Sequence, residues 1–223
     1  MSWESSIEYE RMLNEIVRER LGGLASADLL IRSFNFADVE ALQTSGRWDD
    51  AARMLIDAAQ HLVAGGAEAV VICTNTMHLL ADAIQAAITV PIIHIADAAG
   101  EAVRARDVAV VGVLGTRYTM EQNFYVGRLR DAHGLQVLIP EESDRILVHE
   151  IIYEELVRGV INPASKRAYR DVIERLIDAG ATGIIAACTE IELLIHDDDL
   201  PVPLFASTRI HVEAAAAFAL QGN

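Results

Sequence analysis

Gly180-Ala181-Thr182-Gly183-Ile184-Ile185-Ala186-Ala187-Cys188-Thr189-Glu190 decides how this chain is read, because Gly66-Ala67-Glu68-Ala69-Val70-Val71-Ile72-Cys73-Thr74-Asn75-Thr76 repeats its plan. Each segment is a Gly-Ala turn, a short apolar run and a cluster of small nucleophilic or hydrogen-bonding side chains ahead of an apolar helical pattern. In a parallel α/β sheet such a cluster falls at the carboxyl end of a strand, beside a helix N-terminus, where ligands of these folds bind. A duplicated protein that brings two such clusters together addresses one small molecule from two sides.

Working outward, the same rhythm runs twice. The first half reads as a helix over residues 6–21, a strand over 27–33, a helix over 49–64, a strand over 69–73, a helix over 76–87, a strand over 90–95 and a helix over 97–104. The second half reads as strands over 108–114, 137–139, 183–187 and 202–206, with helices over 119–132, 143–159, 163–179, 190–195 and 208–220. Val90-Pro91-Ile92-Ile93 and Val202-Pro203-Leu204-Phe205 are counterparts. Strands alternating with helices imply parallel sheets, and the repeat implies two pseudo-symmetric lobes, each a sheet flanked by helices. The expected division is an N-terminal lobe of residues 1–95, joined by 206–223, and a C-terminal lobe of 96–205.

Composition narrows the function. The 223 residues are 52% apolar, enough for a sizeable core, and charged residues interrupt every apolar run, so no membrane span is expected. The first residues lack the basic start and apolar centre of a signal peptide, and a cytoplasmic location follows by default. A net charge of −15, with Lys166 the one lysine and the arginines scattered, argues against a nucleic-acid partner. Two cysteines, Cys73 and Cys188, are read as thiols rather than a disulfide framework, and no histidine has metal-ligand spacing with a cysteine or carboxylate.

Matching the clusters by eye pairs Cys73 with Cys188. Counting from the turns does not: Ala181 to Cys188 is seven positions, and Ala67 to Thr74 is seven. Side chains alternate faces along a strand, so one residue of slip turns a group to the other side. On that count Thr74 is the partner of Cys188, and Cys73 takes the place of Ala187 and faces the core as a buried cysteine.

Together, Met-Ser-Trp-Glu-Ser at the start, Thr-Asn-Thr-Met-His at 74–78, Leu-Gly-Thr-x-x-Thr-Met at 114–120 and Cys-Thr-Glu at 188–190 resemble the aspartate/glutamate racemase superfamily. The resemblance covers nearly the whole chain. It implies two lobes with the active site in the cleft between them, a homodimer, and cofactor-independent removal and return of an α-proton by two thiols. It aligns Thr74 with the first family cysteine, as the turn count does. The chain departs from the family there, since a hydroxyl is a far weaker acid than a thiol of pKa about 8.5. It departs again in starting at the Met-Ser-Trp that the family precedes with an apolar strand.

Cys188 is the first candidate catalytic residue, ending an apolar strand where a following helix N-terminus favours the thiolate. Thr74 is its counterpart on the other face. Asn75, Thr76 and Thr189 are candidate donors to the substrate or helix N-caps, two roles that are compatible. Gly115-Thr116, with Thr119 at the next helix start, offers donors suited to an α-carboxylate, or is an ordinary turn; it lacks the lysine and glycine spacing of a nucleotide loop. The resemblance makes Ser2, close to the turn the family uses for the carboxylate, a further candidate contact, or it belongs to a frayed terminus; Glu190, which resembles the family's motif glutamate, orients an amino group, polarises Cys188 or caps its helix. Lys166 reaches a side-chain carboxylate or stands in solvent.

The favoured expectation is an amino-acid racemase, an isomerase acting on aspartate or glutamate, with a carbanion between Cys188 and Thr74. The alternatives are a one-thiol relative that decarboxylates or performs cis/trans isomerisation, and a catalytically dead protein that binds dicarboxylates.

Overall fold

The computed structural model describes residues 3–221. The chain forms two compact units, Met1–His94 with Val212–Asn223, and Ile95–His211. Residues 206–211 thus fall within the second unit.

In the first unit α1 (Trp3–Leu21), α2 (Phe36–Thr44) and α3 (Trp48–Ala64) precede β1 (Val70–Val71). A 3-10 turn, Thr76–Leu80, runs into α4 (Ala81–Gln85), and β2 (Ile92–Ile93) pairs parallel to β1, Val70 opposite Ile92. Side chains around β1 alternate between two clusters, as strand geometry requires. Ile72 packs with Val39, Leu55, Ala59 and Met77 on the α2 and α3 side, whereas Val71 and Cys73 pack against Tyr9, Leu13, Val212, Ala215 and Ala216.

The second unit opens with α5 (Ile95–Ala105) and holds a four-stranded parallel sheet in the order β4-β3-β5-β6: β3 (Val110–Gly115), β4 (Gln136–Leu138), β5 (Gly183–Ala187) and β6 (Leu204–Ala206). Between the strands lie α6 (Arg117–Glu121), α7 (Val126–His133), α8 (Glu142–Glu154) and α9 (Pro163–Asp178). The final helix, α10 (Ser207–Ala219), starts in this unit. All five residues of β5 are buried, since both faces of the strand are covered. Ile184 and Ala186 meet α8 and α9 through Val148, Ile152, Val172 and Ile173; Ile185 and Ala187 meet α5 and α7 through Ala99, Val103 and Leu129. Asn162 caps α9 by accepting the Ala164 N–H at 2.9 Å, and Pro163 occupies the first turn, where no N–H is needed.

The repeat read from sequence is present in the backbone. Gly66 has φ +101° and Gly180 φ +108°, a region open to glycine, at the turn from helix to strand. Val70 N–H donates to Pro91 O and Ile184 N–H to Pro203 O, both at 2.9 Å. Val70 therefore corresponds to Ile184; four residues on stand Thr74 and Cys188, while Cys73 corresponds to Ala187.

Several expected elements differ. Residues 27–33 form no strand and join no ladder among the described residues. Ala27 and Leu29 point inward, so the alternation that suggested a strand is real, but pairing is missing. The helix expected over 119–132 breaks at Gln122, whose backbone is extended, before Tyr125 buries its ring. The helix expected over 76–87 is a 3-10 turn followed by α4, and that over 143–159 ends at Glu154 before a 3-10 turn, Leu156–Arg158. The helix expected over 190–195 is a 3-10 turn, Thr189–Leu193. Helix α2 was not expected; its stripe is Phe36, Val39 and Leu42, with Gln43 donating to Met77 Sδ at 2.9 Å.

Candidate functional site

At the carboxyl edge of the second sheet, Gly115 pairs in register with Ala187, and Ala186 with Ala206. The next residues, Thr116, Cys188 and Ser207, leave neighbouring strands together. Gly115 makes this close approach possible: a Cβ there would stand 2.9 Å from Ala187 O and 3.2 Å from Thr119 Cβ.

Cys188 Sγ donates to Glu190 Oε2 at 3.0 Å. Burial, then the Glu190 carboxylate, pushes the thiol well above its ordinary pKa. The resting group is a thiol, which corrects the expectation that a helix N-terminus favours thiolate. A five-residue 3-10 turn aligns too few peptides for a strong dipole, and desolvation plus a carboxylate within hydrogen-bond reach outweighs it. Tyr169, buried beneath, donates its hydroxyl to Val148 O at 3.2 Å; burial raises its pKa, and the neighbouring Cys188 and Glu190, when ionised, raise it further.

Thr116 and Thr119 are both buried. Thr116 caps α6, its Oγ1 accepting the Thr119 N–H at 3.4 Å and lying 3.2 Å from Thr119 Oγ1. The Arg117 N–H donates to His149 Nδ1 at 3.3 Å, so the loop is held from α8 as well. Thr189 opens the turn after Cys188 and is half-buried. Lys166 Nζ forms an ion pair with Asp199 at 2.7 Å, which holds the Asp199 carboxyl below its usual range. The structure thus engages Lys166 with a carboxylate of the chain itself.

In the first unit Thr74 is half-buried, and its N–H donates to Ile72 O at 2.7 Å in a tight turn. Asn75 and Thr76 are buried; Asn75 stands at the N-cap of the 3-10 turn without capping it through its side chain. His78 Nδ1 lies 2.7 Å from Thr74 O, and since a carbonyl only accepts, Nδ1 carries the proton. The His78 ring meets the buried His94 ring edge-on, centroids 4.6 Å apart. Cys73 donates to Val71 O at 3.8 Å, and burial pushes its thiol up to about 11.

Ser2 lies outside the described residues. A cavity of about 340 Å³ in the first unit, where Arg32 stands over the Phe34 ring, has Asp38 and Asp57 in its wall and holds none of the candidate residues. Among the described residues no three His, Cys, Asp or Glu side chains gather to hold a metal, and no helix is long and apolar enough to cross a membrane. Reasoning from the sequence missed Tyr169, His149 and Glu192, whose carboxylate accepts the Thr208 N–H at 3.2 Å. For Glu192 a signal existed, a second acidic residue on the apolar turn after Cys188.

Comparison with known proteins fits this architecture. The Asp/Glu/hydantoin racemase family profile matches residues 1–215. A Yersinia pestis protein assigned provisionally as an Asp/Glu racemase shares 50% identity at TM-score 0.93, over 99% of this chain and 96% of its own. An aspartate racemase homologue from Pyrococcus horikoshii OT3 shares 33% identity at TM-score 0.84, over 98% and 95%. An aspartate racemase from Picrophilus torridus, 16% identical at TM-score 0.68 over 97% and 88%, shares the fold.

Proposed function

The chain belongs to the Asp/Glu/hydantoin racemase family, and on that premise we propose that it is an isomerase that interconverts the enantiomers of aspartate or glutamate without a cofactor. The observation that carries this reading is the Cys188 S–H donating to Glu190 at the carboxyl edge of a parallel sheet. Glu190 takes the thiol proton when the substrate's ammonium group offsets the charge nearby. The thiolate then takes the α-proton, leaving a carbanion, and a proton from the opposite face completes inversion.

Thr74 serves that opposite face. Its hydroxyl does not store charge as a thiolate does, so it acts with a water that gives or takes the proton, and the two directions of turnover differ in rate. Thr116 and Thr119, with backbone N–H groups of their loop, receive the α-carboxylate; Asn75, Thr76 and Thr189 complete the donors. Lys166 reaches a side-chain carboxylate only by leaving Asp199.

The test is α-deuterium incorporation in heavy water, followed by proton NMR, with each enantiomer of aspartate and glutamate. Exchange with at least one pair is expected; none with any of the four overturns the reading. The hydroxyl in place of a second thiol favours one further reading, one-sided chemistry at Cys188, which carbon dioxide release from a malonate or conversion of maleate to fumarate would reveal. The homodimer is checked by light scattering of the purified chain.

A further inference from the structure

Glu192 shares the 3-10 turn Thr189–Leu193 with Glu190, and this turn follows Cys188 directly. Its Oε1 accepts the N–H of Thr208, the second residue of α10, at 3.2 Å. The first N–H groups of a helix have no partner within it, so this carboxylate fastens the turn to the start of α10. The groups that bear on it are Glu190 from its own turn and Thr208 and Arg209 from α10. Glu190 is in turn the acceptor of the Cys188 S–H.

We propose that Glu192 is a positioning residue for Cys188: its carboxyl ties the turn that carries Glu190 to α10, and its charge governs how readily Cys188 releases a proton. The inference rests on the reading of Cys188 as an acid/base, but it makes a statement about the thiol alone. Burial pushes the Glu192 carboxyl up to about 7, while the Thr208 donor and Arg209 draw it down. Below that pH the carboxyl is neutral. Above it, a second negative charge beside Glu190 holds the Cys188 proton more tightly.

The experiment is alkylation of Cys188 by iodoacetamide from about pH 6 to about pH 9 in the full chain, read by peptide mass so that Cys73 is scored separately. Glu192→Gln keeps an acceptor for the Thr208 N–H and removes the charge; Glu192→Ala removes both. Glu192→Gln is expected to match the wild type near pH 6 and to react about threefold faster near pH 9. Near pH 6, where the wild-type carboxyl is neutral, Glu192→Ala is expected to lower kcat at unchanged KM relative to Glu192→Gln. Coincident alkylation curves for wild type and Glu192→Gln overturn the electrostatic role, and equal kcat in the Ala and Gln variants overturns the positioning role. Alkylation is read without turnover, so a chain that racemises nothing leaves the first result intact.

Discussion

Thr74 and Cys188 sit at the same place in a repeated backbone, four residues beyond strand positions whose N–H groups meet Pro91 O and Pro203 O at the same distance. Their surroundings have diverged. The second-unit position holds a thiol against Glu190, with Glu192 two residues on; the first-unit position holds a hydroxyl beside a turn braced by His78 and His94. The repeat places the two residues alike, because strand register and the helix-to-strand turn are set by packing. It does not conserve the chemistry, which a single side chain changes.

The most severe way to break the comparison is to remove its stronger side. Cys188→Ala is expected to lower α-deuterium exchange about 10³-fold or more, measured by NMR in heavy water. Substantial exchange in that variant would mean that the first unit works alone. The weaker side is tested in both directions: Thr74→Cys is expected to raise exchange begun from that face about tenfold or more, and Thr74→Ala to lower it about tenfold. Equal rates for Thr74→Cys and wild type would show that the hydroxyl is not what limits that direction.

Cys73 sharpens the same comparison from the opposite side. It corresponds to Ala187, packs among Tyr9, Leu13 and Val71, and its thiol is held up at about 11 by burial. Cys73→Ala is therefore expected to leave exchange within about twofold of wild type while costing about 1 kcal/mol in chemical denaturation, the effect of a small cavity. A loss of exchange as large as that of Cys188→Ala would restore Cys73 as the second thiol.

How much of this was legible in the sequence follows from the same physics. The second-unit strand over 183–187 was read to the residue because an apolar run buried on both faces has sharp ends, and the counterpart of Cys188 emerged from counting because register has a period of two. Residues 27–33 misled because alternation shows which side chains turn inward, not whether a neighbouring strand exists. Helix α2 escaped because Gln43 and Thr44 interrupt its stripe. The thiolate expectation failed because a dipole argument was applied to a turn whose shortness and Glu190 partner could only be seen in three dimensions. Tyr169 and His149 reach the site from α9 and α8, far along the chain, and no local pattern marks them.

The smallest expected effect separates two histidines that use the same ring nitrogen in opposite ways. In the first unit His78 Nδ1 donates to Thr74 O, a bond that a protonated ring also makes. In the second unit His149 Nδ1 accepts the Arg117 N–H, which requires the neutral ring. Burial, then the charge of Arg117, lowers the His149 pKa. A histidine whose folded pKa is depressed stabilises the fold above its unfolded value, about 6.5, and this contribution is lost as pH falls through the lower folded value. Because the ring is half-exposed, the effect is modest. The Tm advantage of wild type over His149→Phe is thus expected to be largest near pH 8 and to shrink towards pH 5, by differential scanning calorimetry. A gap independent of pH would mean that His149 supports the Thr116 loop by packing alone.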